Sequence, residues 1–299
     1  MNWPEKVTIK EVGPRDGLQN EKVMIPAQSK MDWIDQLSDT GLSYIEVTSF
    51  VHPKWIPQLS DAIEVAKGIK RNPGITYAAL VPNQRGLESA LEANIDEISV
   101  FMSSSETHNL KNINKSISDT FPIMKDVIET AAKSDKTVRG YISTVFGCPY
   151  EGEVSSEQVF RVCDQLFEYG IDEVSLGDTI GVASPRQVAL FLEQAVKRYD
   201  ISRIALHFHD TRGMALANVL ESLNYGVDTF DSSLGGLGGC PYAPGASGNV
   251  ATDDLIHMLH KMGIHTGINP EKLMKAAALI QSFLEKPLPS HQMAVSNAQ

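Results

Sequence analysis

The alternation of apolar and polar residues divides the chain into short strands and longer helices that take turns. Four stretches share one pattern, a helix end, a turn residue and then a strand: residues 41–47, 94–100, 170–176 and 226–232. They open on Gly41, Asn94, Gly170 and Gly226, and glycine or asparagine suits the left-handed residue that closes a helix. The apolar run behind each suits a buried parallel strand. Four more strand candidates, residues 7–12, 76–81, 138–144 and 203–209, fall between the repeats. The intervening helices carry start signals. Ser155 and Gln158 read as the two ends of a capping box, after which Val159, Val162, Cys163, Leu166 and Phe167 share one helical face. Ser184, Pro185 and Gln187 repeat the device, with proline at the first helical position. Eight strands alternating with helices predict an α/β protein, a (β/α)8 TIM barrel over about residues 7–262. A doubly wound open sheet is the alternative. A further helix is predicted over about 270–286, residues 287–299 read as a loose tail, and residues 1–299 are expected to form one catalytic domain.

A barrel brings its strand ends together at one mouth, so distant segments can share a site. Through residues 205–211, period-two alternation points His207 and His209 to one side and Leu206 and Phe208 to the other. Two imidazoles on one strand face, followed by the carboxylate of Asp210, resemble half of a divalent-metal site. A pair of ordinary core histidines is the bland alternative. After the first strand comes Gly13-Pro14-Arg15-Asp16-Gly17-Leu18-Gln19-Asn20-Glu21. Asp16 supplies the oxygen ligand that the histidines lack, and Arg15 is a permanent cation for an anionic oxygen. Glu46 lies opposite Ile45 and Val47 in its strand, and the matching repeat positions Ser99, Ser175 and Asp231 are all polar. That pattern puts Glu46 in the lumen, where a buried carboxylate needs a partner such as Arg15. Residues 233–249 hold six glycines after the eighth strand, a backbone suited to close approach. This loop is expected to build part of the site, with Asn249 as an amide ligand and Cys240 as a thiol able to shuttle a proton.

Composition narrows the class. The net charge of −11 argues against nonspecific nucleic-acid binding and against anchoring on anionic membranes. No apolar run approaches the ~18 residues of a spanning helix. Cys148, Cys163 and Cys240 are too scattered for a disulfide framework. With no apolar signal core and no Arg-rich leader at the start, the expectation is a cytoplasmic protein. No Gly-x-Gly-x-x-Gly fingerprint or phosphate-binding P-loop is present, so neither a nicotinamide nor a nucleotide is expected.

On the motifs 13–21, 207–211 and 235–249 the chain resembles the hydroxymethylglutaryl-CoA lyases, within the wider family of metal-dependent barrel lyases and Claisen-type synthases. The likeness runs from about residue 7 to 283; the third motif is specific to the lyases, and the first two occur in variant form in the synthases. The resemblance implies Asp16, His207, His209 and Asn249 as ligands of Mg²⁺ or Mn²⁺, and Arg15 as the cation that stabilises an enolate. It implies Glu46 as the partner of Arg15, Cys240 as acid/base thiol, and His207 within the catalytic set. Arg139 and Asp178 match positions near the substrate or cofactor, and Lys22 a contact for the CoA moiety. It further implies cleavage of an acyl-CoA to acetyl-CoA and acetoacetate, in the setting of leucine breakdown and ketone-body formation, by a homo-oligomer, a dimer. A lyase for a related 3-hydroxyglutaryl-CoA, or a synthase condensing acetyl-CoA with a 2-oxo acid, are the alternatives.

Overall fold

The computed structural model describes residues 3–239, 247–284 and 286–298. Eight parallel strands close into a barrel in sequence order: β1 (Thr8–Glu11), β2 (Tyr44–Ser49), β3 (Thr76–Leu80), β4 (Glu97–Ser103), β5 (Thr137–Ser143), β6 (Glu173–Asp178), β7 (Ile204–Phe208) and β8 (Thr229–Ser232), with β8 paired back to β1. Around them run α1 (Ala27–Ser38), α2 (Ala62–Gly68), α3 (Gln84–Glu92), α4 (Glu106–Ile113), α5 (Ile117–Lys133), α6 (Ser156–Tyr169), α7 (Pro185–Ala195), α8 (Ala215–Leu223), α9 (Thr252–Lys261), α10 (Pro270–Phe283) and α11 (His291–Asn297). The expected barrel is therefore present. Among the described residues, no helix is long and apolar enough to cross a membrane.

Period two along each strand sorts the two faces. Ile9, Ile45, Val138, Val174, Leu206 and Phe230 are at most 2% exposed and belong to the apolar layer between barrel and helices. The opposite face fills the lumen with charge in place of the branched apolar layers common in such barrels. Lys10 on β1 reaches Glu173 on β6 at 2.9 Å and lies 4.3 Å over the Tyr44 ring. Arg139 on β5 grips Asp231 on β8 at 2.6 Å, and Tyr141 on β5 donates to Glu46 on β2 at 3.1 Å. These bonds cross the barrel, so they fix its section as well as neutralise its charges.

Two local expectations are corrected. At α6 only half of the capping box forms: Ser155 accepts from the Gln158 N–H, but the Gln158 amide oxygen accepts from Arg161 instead of reaching back. The complete box is at α7, between Ser184 and Gln187. The second correction concerns the expected loose tail, over its described residues 287–298. Leu288 is 3% exposed, and Ser290 caps α11 by accepting from the Met293 N–H. Asp253 accepts from the Ser290 hydroxyl, and Asp254 accepts from the N–H groups of His291 and Gln292, both at 2.9 Å. Two buried carboxylates at the start of α9 thus hold the N-terminus of α11, where the helix dipole favours negative charge. The segment is a docked helix because its orphan N–H groups find these acceptors. Ser290→Ala removes cap and anchor together. It should cost about 1 kcal/mol and strip amide-exchange protection from residues 290–298 while the strands keep theirs; unchanged protection there would contradict the anchoring.

Candidate metal centre

After β1 the chain makes a single helical turn, Gly13–Gly17, in which the N–H groups of Arg15, Asp16 and Gly17 converge on the carbonyl of Val12. Glycine is needed at both ends of the turn. A Cβ at Gly13 would sit 2.5 Å from a Glu11 oxygen, and one at Gly17 2.7 Å from the Ser233 hydroxyl. The turn brings Arg15 and Asp16 over the barrel mouth. Arg15 is 6% exposed; its Nε donates to Glu46 Oε2 at 2.6 Å, its Nη1 to Asp16, and its guanidinium lies 5.0 Å from the Tyr141 ring centre. Asp16 also accepts from Gln19 Nε2 at 2.7 Å and, through Oδ2, from Asn249 Nδ2 at 2.8 Å.

From the far side of the mouth, the next-to-last residue of β7 is His207, whose Nε2 is 3.9 Å from Asp16 Oδ2. His209 follows just past the strand, in a bridge to Asn249, with its ring 5.2 Å from that of His207. One ligand atom each from Asp16, His207 and His209 lies within 4.8 Å of the others. Burial alone would raise the Asp16 pKa, but Arg15, His207, His209 and the Asn249 amide together hold it below the usual carboxylate range. Burial, reinforced by the neighbouring His207, pushes His209 down to about 4. An ionised carboxylate beside a neutral imidazole is the protonation state that a metal ligand set requires. His209 Nδ1 and Asn249 Oδ1 are buried with no hydrogen-bond partner among the described residues. Buried polar atoms without partners are costly, so these two fit a site shaped for a cation. The donors are nitrogen and oxygen with no thiolate, a set suited to a divalent ion of the magnesium or manganese kind more than to a closed zinc site.

Comparison with known proteins places the chain in a family. The sequence profile of the HMGL-like family matches residues 6–280. This chain belongs to the HMGL-like family. It is 62% identical to the hydroxymethylglutaryl-CoA lyase YngG of Bacillus subtilis (strain 168), over 99% of each chain, and 50% identical to a cytoplasmic 3-hydroxy-3-methylglutaryl-CoA lyase of Mus musculus, over 95% of this chain and 82% of that one. Among solved structures, the B. subtilis HMG-CoA lyase superposes with a TM-score of 0.98 at 62% identity, covering 99% of this chain and 100% of that one. An HMG-CoA lyase from A. baumannii in complex with coenzyme A and 3-methylmalate superposes with a TM-score of 0.93 at 40% identity, over 97% and 95%.

Among the described residues, the remaining sequence candidates of this HMGL-like chain lie on β2, β5, β6 and the loop after β1. Glu46 is fully buried against Arg15, as its lumen position implied. Arg139 is fully buried too, with Nε on Glu173 at 2.5 Å and both terminal nitrogens on Asp231. It therefore props the floor of the site and offers no open surface to a ligand. Asp178, at the end of β6, accepts from the N–H groups of Val182 and Ala183 at 2.9 and 3.0 Å, which shape the loop before α7. Burial pushes its pKa up to about 6 against those two donors. Lys22 is exposed on the loop after β1. Cys240 lies outside the described residues. Cys163 is core, as its helical face implied; Cys148, after β5, is buried 3.0 Å from the Ser105 hydroxyl.

Sequence reasoning missed three residues that shape this HMGL-like site. Tyr141 and Asp231 were readable as lumen positions, two residues on from Arg139 and level with Glu46 in the repeat, but their partners cross the barrel and leave no local signal. Glu11 had none. It is fully buried on the outer face of β1, where Oε1 accepts from the N–H groups of Gly13 and Leu234 at 2.8 and 2.9 Å and Oε2 from the Thr252 hydroxyl at 2.6 Å. One carboxyl thus ties the root of the Arg15–Asp16 turn to the root of the glycine-rich loop. Burial pushes its pKa from 4.5 up to about 7, outweighing those three donors. Below pH 4.5 folded and unfolded chains both hold the proton; between 4.5 and 7 only the folded chain keeps it, so stability falls as pH rises. The loss is on the order of 3 kcal/mol and complete above pH 7. Glu11→Gln should flatten this fall between pH 4.5 and 7 in thermal melts of the metal-free protein; melting curves that track wild type at every pH would contradict it.

Proposed function

We propose that this chain cleaves (S)-3-hydroxy-3-methylglutaryl-CoA to acetyl-CoA and acetoacetate, with Mg²⁺ or Mn²⁺ held by Asp16, His207, His209 and Asn249. The observation that carries this reading is the meeting of an ionised Asp16, two imidazoles and the Arg15 guanidinium at one barrel mouth. The identity to lyases over nearly the whole chain, and the coenzyme A in the A. baumannii relative, support an acyl-CoA substrate. When bound, a divalent cation supplies Lewis acidity, lowering the pKa of a hydroxyl placed beside it.

The residues of the chain do the rest. Asp16, anionic at neutral pH because Arg15 and the histidines offset its burial, takes the proton of the tertiary C3 hydroxyl. The C2–C3 bond then breaks: the oxygen lone pair becomes the ketone of acetoacetate, and the bonding pair moves through C2 onto the thioester oxygen as an enolate. Arg15 meets that developing charge. Its Nε and Nη1 are occupied by Glu46 and Asp16, which aim the planar fork and leave Nη2 for the oxygen. A donor fixed before the reaction costs no reorganisation during it. Glu46 and Tyr141 position Arg15 from below. The proton that quenches the enolate at C2 falls to Cys240, and Lys22 is available to the anionic end of CoA. No hydride is transferred, in keeping with the missing dinucleotide fingerprint.

Three outcomes test the reading. Treatment with a chelator should abolish acetoacetate release from 3-hydroxy-3-methylglutaryl-CoA, and Mg²⁺ or Mn²⁺ should restore it; turnover indifferent to the metal contradicts the mechanism. Arg15→Met should lower kcat by roughly 10²–10³-fold or more, the scale for losing a donor to a developing oxyanion, with a smaller change in KM. Cys240→Ser should slow turnover with the metal site intact, and an unchanged kcat removes the thiol from the proton transfer.

A further inference from the structure

Asp231 links the charged floor of the barrel to the candidate metal centre. On β8 it is the Cα neighbour of His207 in the β7–β8 ladder, and its side chain is fully buried. Its Oδ1 accepts from Arg139 Nη2 at 2.6 Å. Its Oδ2 accepts from the Ser175 hydroxyl at 2.7 Å and from Arg139 Nη1 at 3.2 Å, and lies 3.1 Å from His207 Nδ1. A carboxylate gripped by a guanidinium is ionised and can only accept. His207 Nδ1 must therefore carry the hydrogen, which leaves the lone pair on Nε2, the atom 3.9 Å from Asp16 Oδ2.

We propose that Asp231 is a positioning residue that locks His207 as its Nδ1–H tautomer and so turns the Nε2 lone pair toward the cation. This rests on the ligand role of His207 proposed above and is independent of which acyl-CoA is cleaved. Partners behind a ligating histidine commonly fix its tautomer and strengthen it as a ligand. Arg139 makes the device one-directional. A guanidinium has donors and no acceptor, and Glu173 holds this one in place through Nε. In Asp231→Asn the amide oxygen faces Nη2, because an amide nitrogen there would set donor against donor at 2.6 Å, a closer clash than the 3.2 Å that separates Nη1 from the other position. The amide nitrogen then takes the place of Oδ2 and donates to His207 Nδ1. The ring proton moves to Nε2 and occupies the ligand lone pair. A nearly isosteric change, outside the ligand set, thus disables a ligand that is still present. Ser175→Ala deletes one donor to the same oxygen without forcing the tautomer, and serves as the control.

The test reads the tautomer and the metal separately from turnover. Long-range ¹H–¹⁵N spectra of metal-free, histidine-labelled protein should show His207 as the Nδ1–H form in wild type and Ser175→Ala, and as the Nε2–H form in Asp231→Asn. Mn²⁺ binding followed by electron paramagnetic resonance should weaken about 10–100-fold in Asp231→Asn and hold in Ser175→Ala. A wild-type His207 in the Nε2–H form overturns the proposal, as does Asp231→Asn binding Mn²⁺ as tightly as wild type. If Asp231→Asn fails to fold, the wild-type tautomer decides alone. A folded wild-type protein that takes up no Mn²⁺ overturns the ligand reading and this proposal with it.

Discussion

A charge sealed inside a barrel has to find its opposite within reach, and that constraint orders this molecule from floor to mouth. Lys10, Glu173, Arg139 and Asp231 form a continuous run of ion pairs through the lumen, and the last of them contacts His207. Arg15, Glu46 and Asp16 form a second set at the mouth. Breaking a buried pair on one side leaves an uncompensated charge, which is costly. The two sets are therefore stiff in a way that an apolar lumen would not be, since each charged group is held in direction as well as in depth. Stiffness of that kind is what a ligand set needs if it is to wait in the geometry in which it works.

Strands, turn and loop divide the labour. The strands carry Glu46, Arg139, Tyr141, His207 and Asp231, whose directions are fixed by the pleat. The turn Gly13–Gly17 carries Arg15 and Asp16; Glu11 leaves no room for a side chain at Gly13, and Ser233 and Leu237 of the segment after β8 leave none at Gly17. Glu11 joins the roots of both segments from outside the barrel, and Asp253 joins the loop root to α11 by accepting from both the Gly235 N–H and the Ser290 hydroxyl. The C-terminal helix is thereby connected, through one carboxylate, to the base of the loop that bears Cys240.

The barrel was legible in the sequence because its signals are local: short apolar strand runs in eight places, four of them entered through a glycine or asparagine helix end. The candidate ligand set was legible for the same reason: His207 and His209 are two residues apart, and Asp16 lies in the turn just after the first strand. What supports the ligands was not. Arg139 reads as an isolated cation in a strand, and only the closed barrel reveals that its partner is Asp231, ninety-two residues on. The tail read as loose because its own apolar pattern is thin; its order comes from Asp253 and Asp254, acceptors that lie thirty-seven residues earlier. Ser155 shows the converse, a correct local signal half undone when Arg161 competes for Gln158.

The central claim is that one divalent ion sits where the first and seventh strands end. A crystal soaked in Mn²⁺ and measured for anomalous scattering tests it most directly. The account predicts a single strong peak about 2.1 Å from a carboxylate oxygen of Asp16, from Nε2 of His207 and from a ring nitrogen of His209, with the Asn249 amide oxygen turned toward it. A peak elsewhere on the molecule, or none at this mouth while the soaked protein turns over substrate, would contradict it.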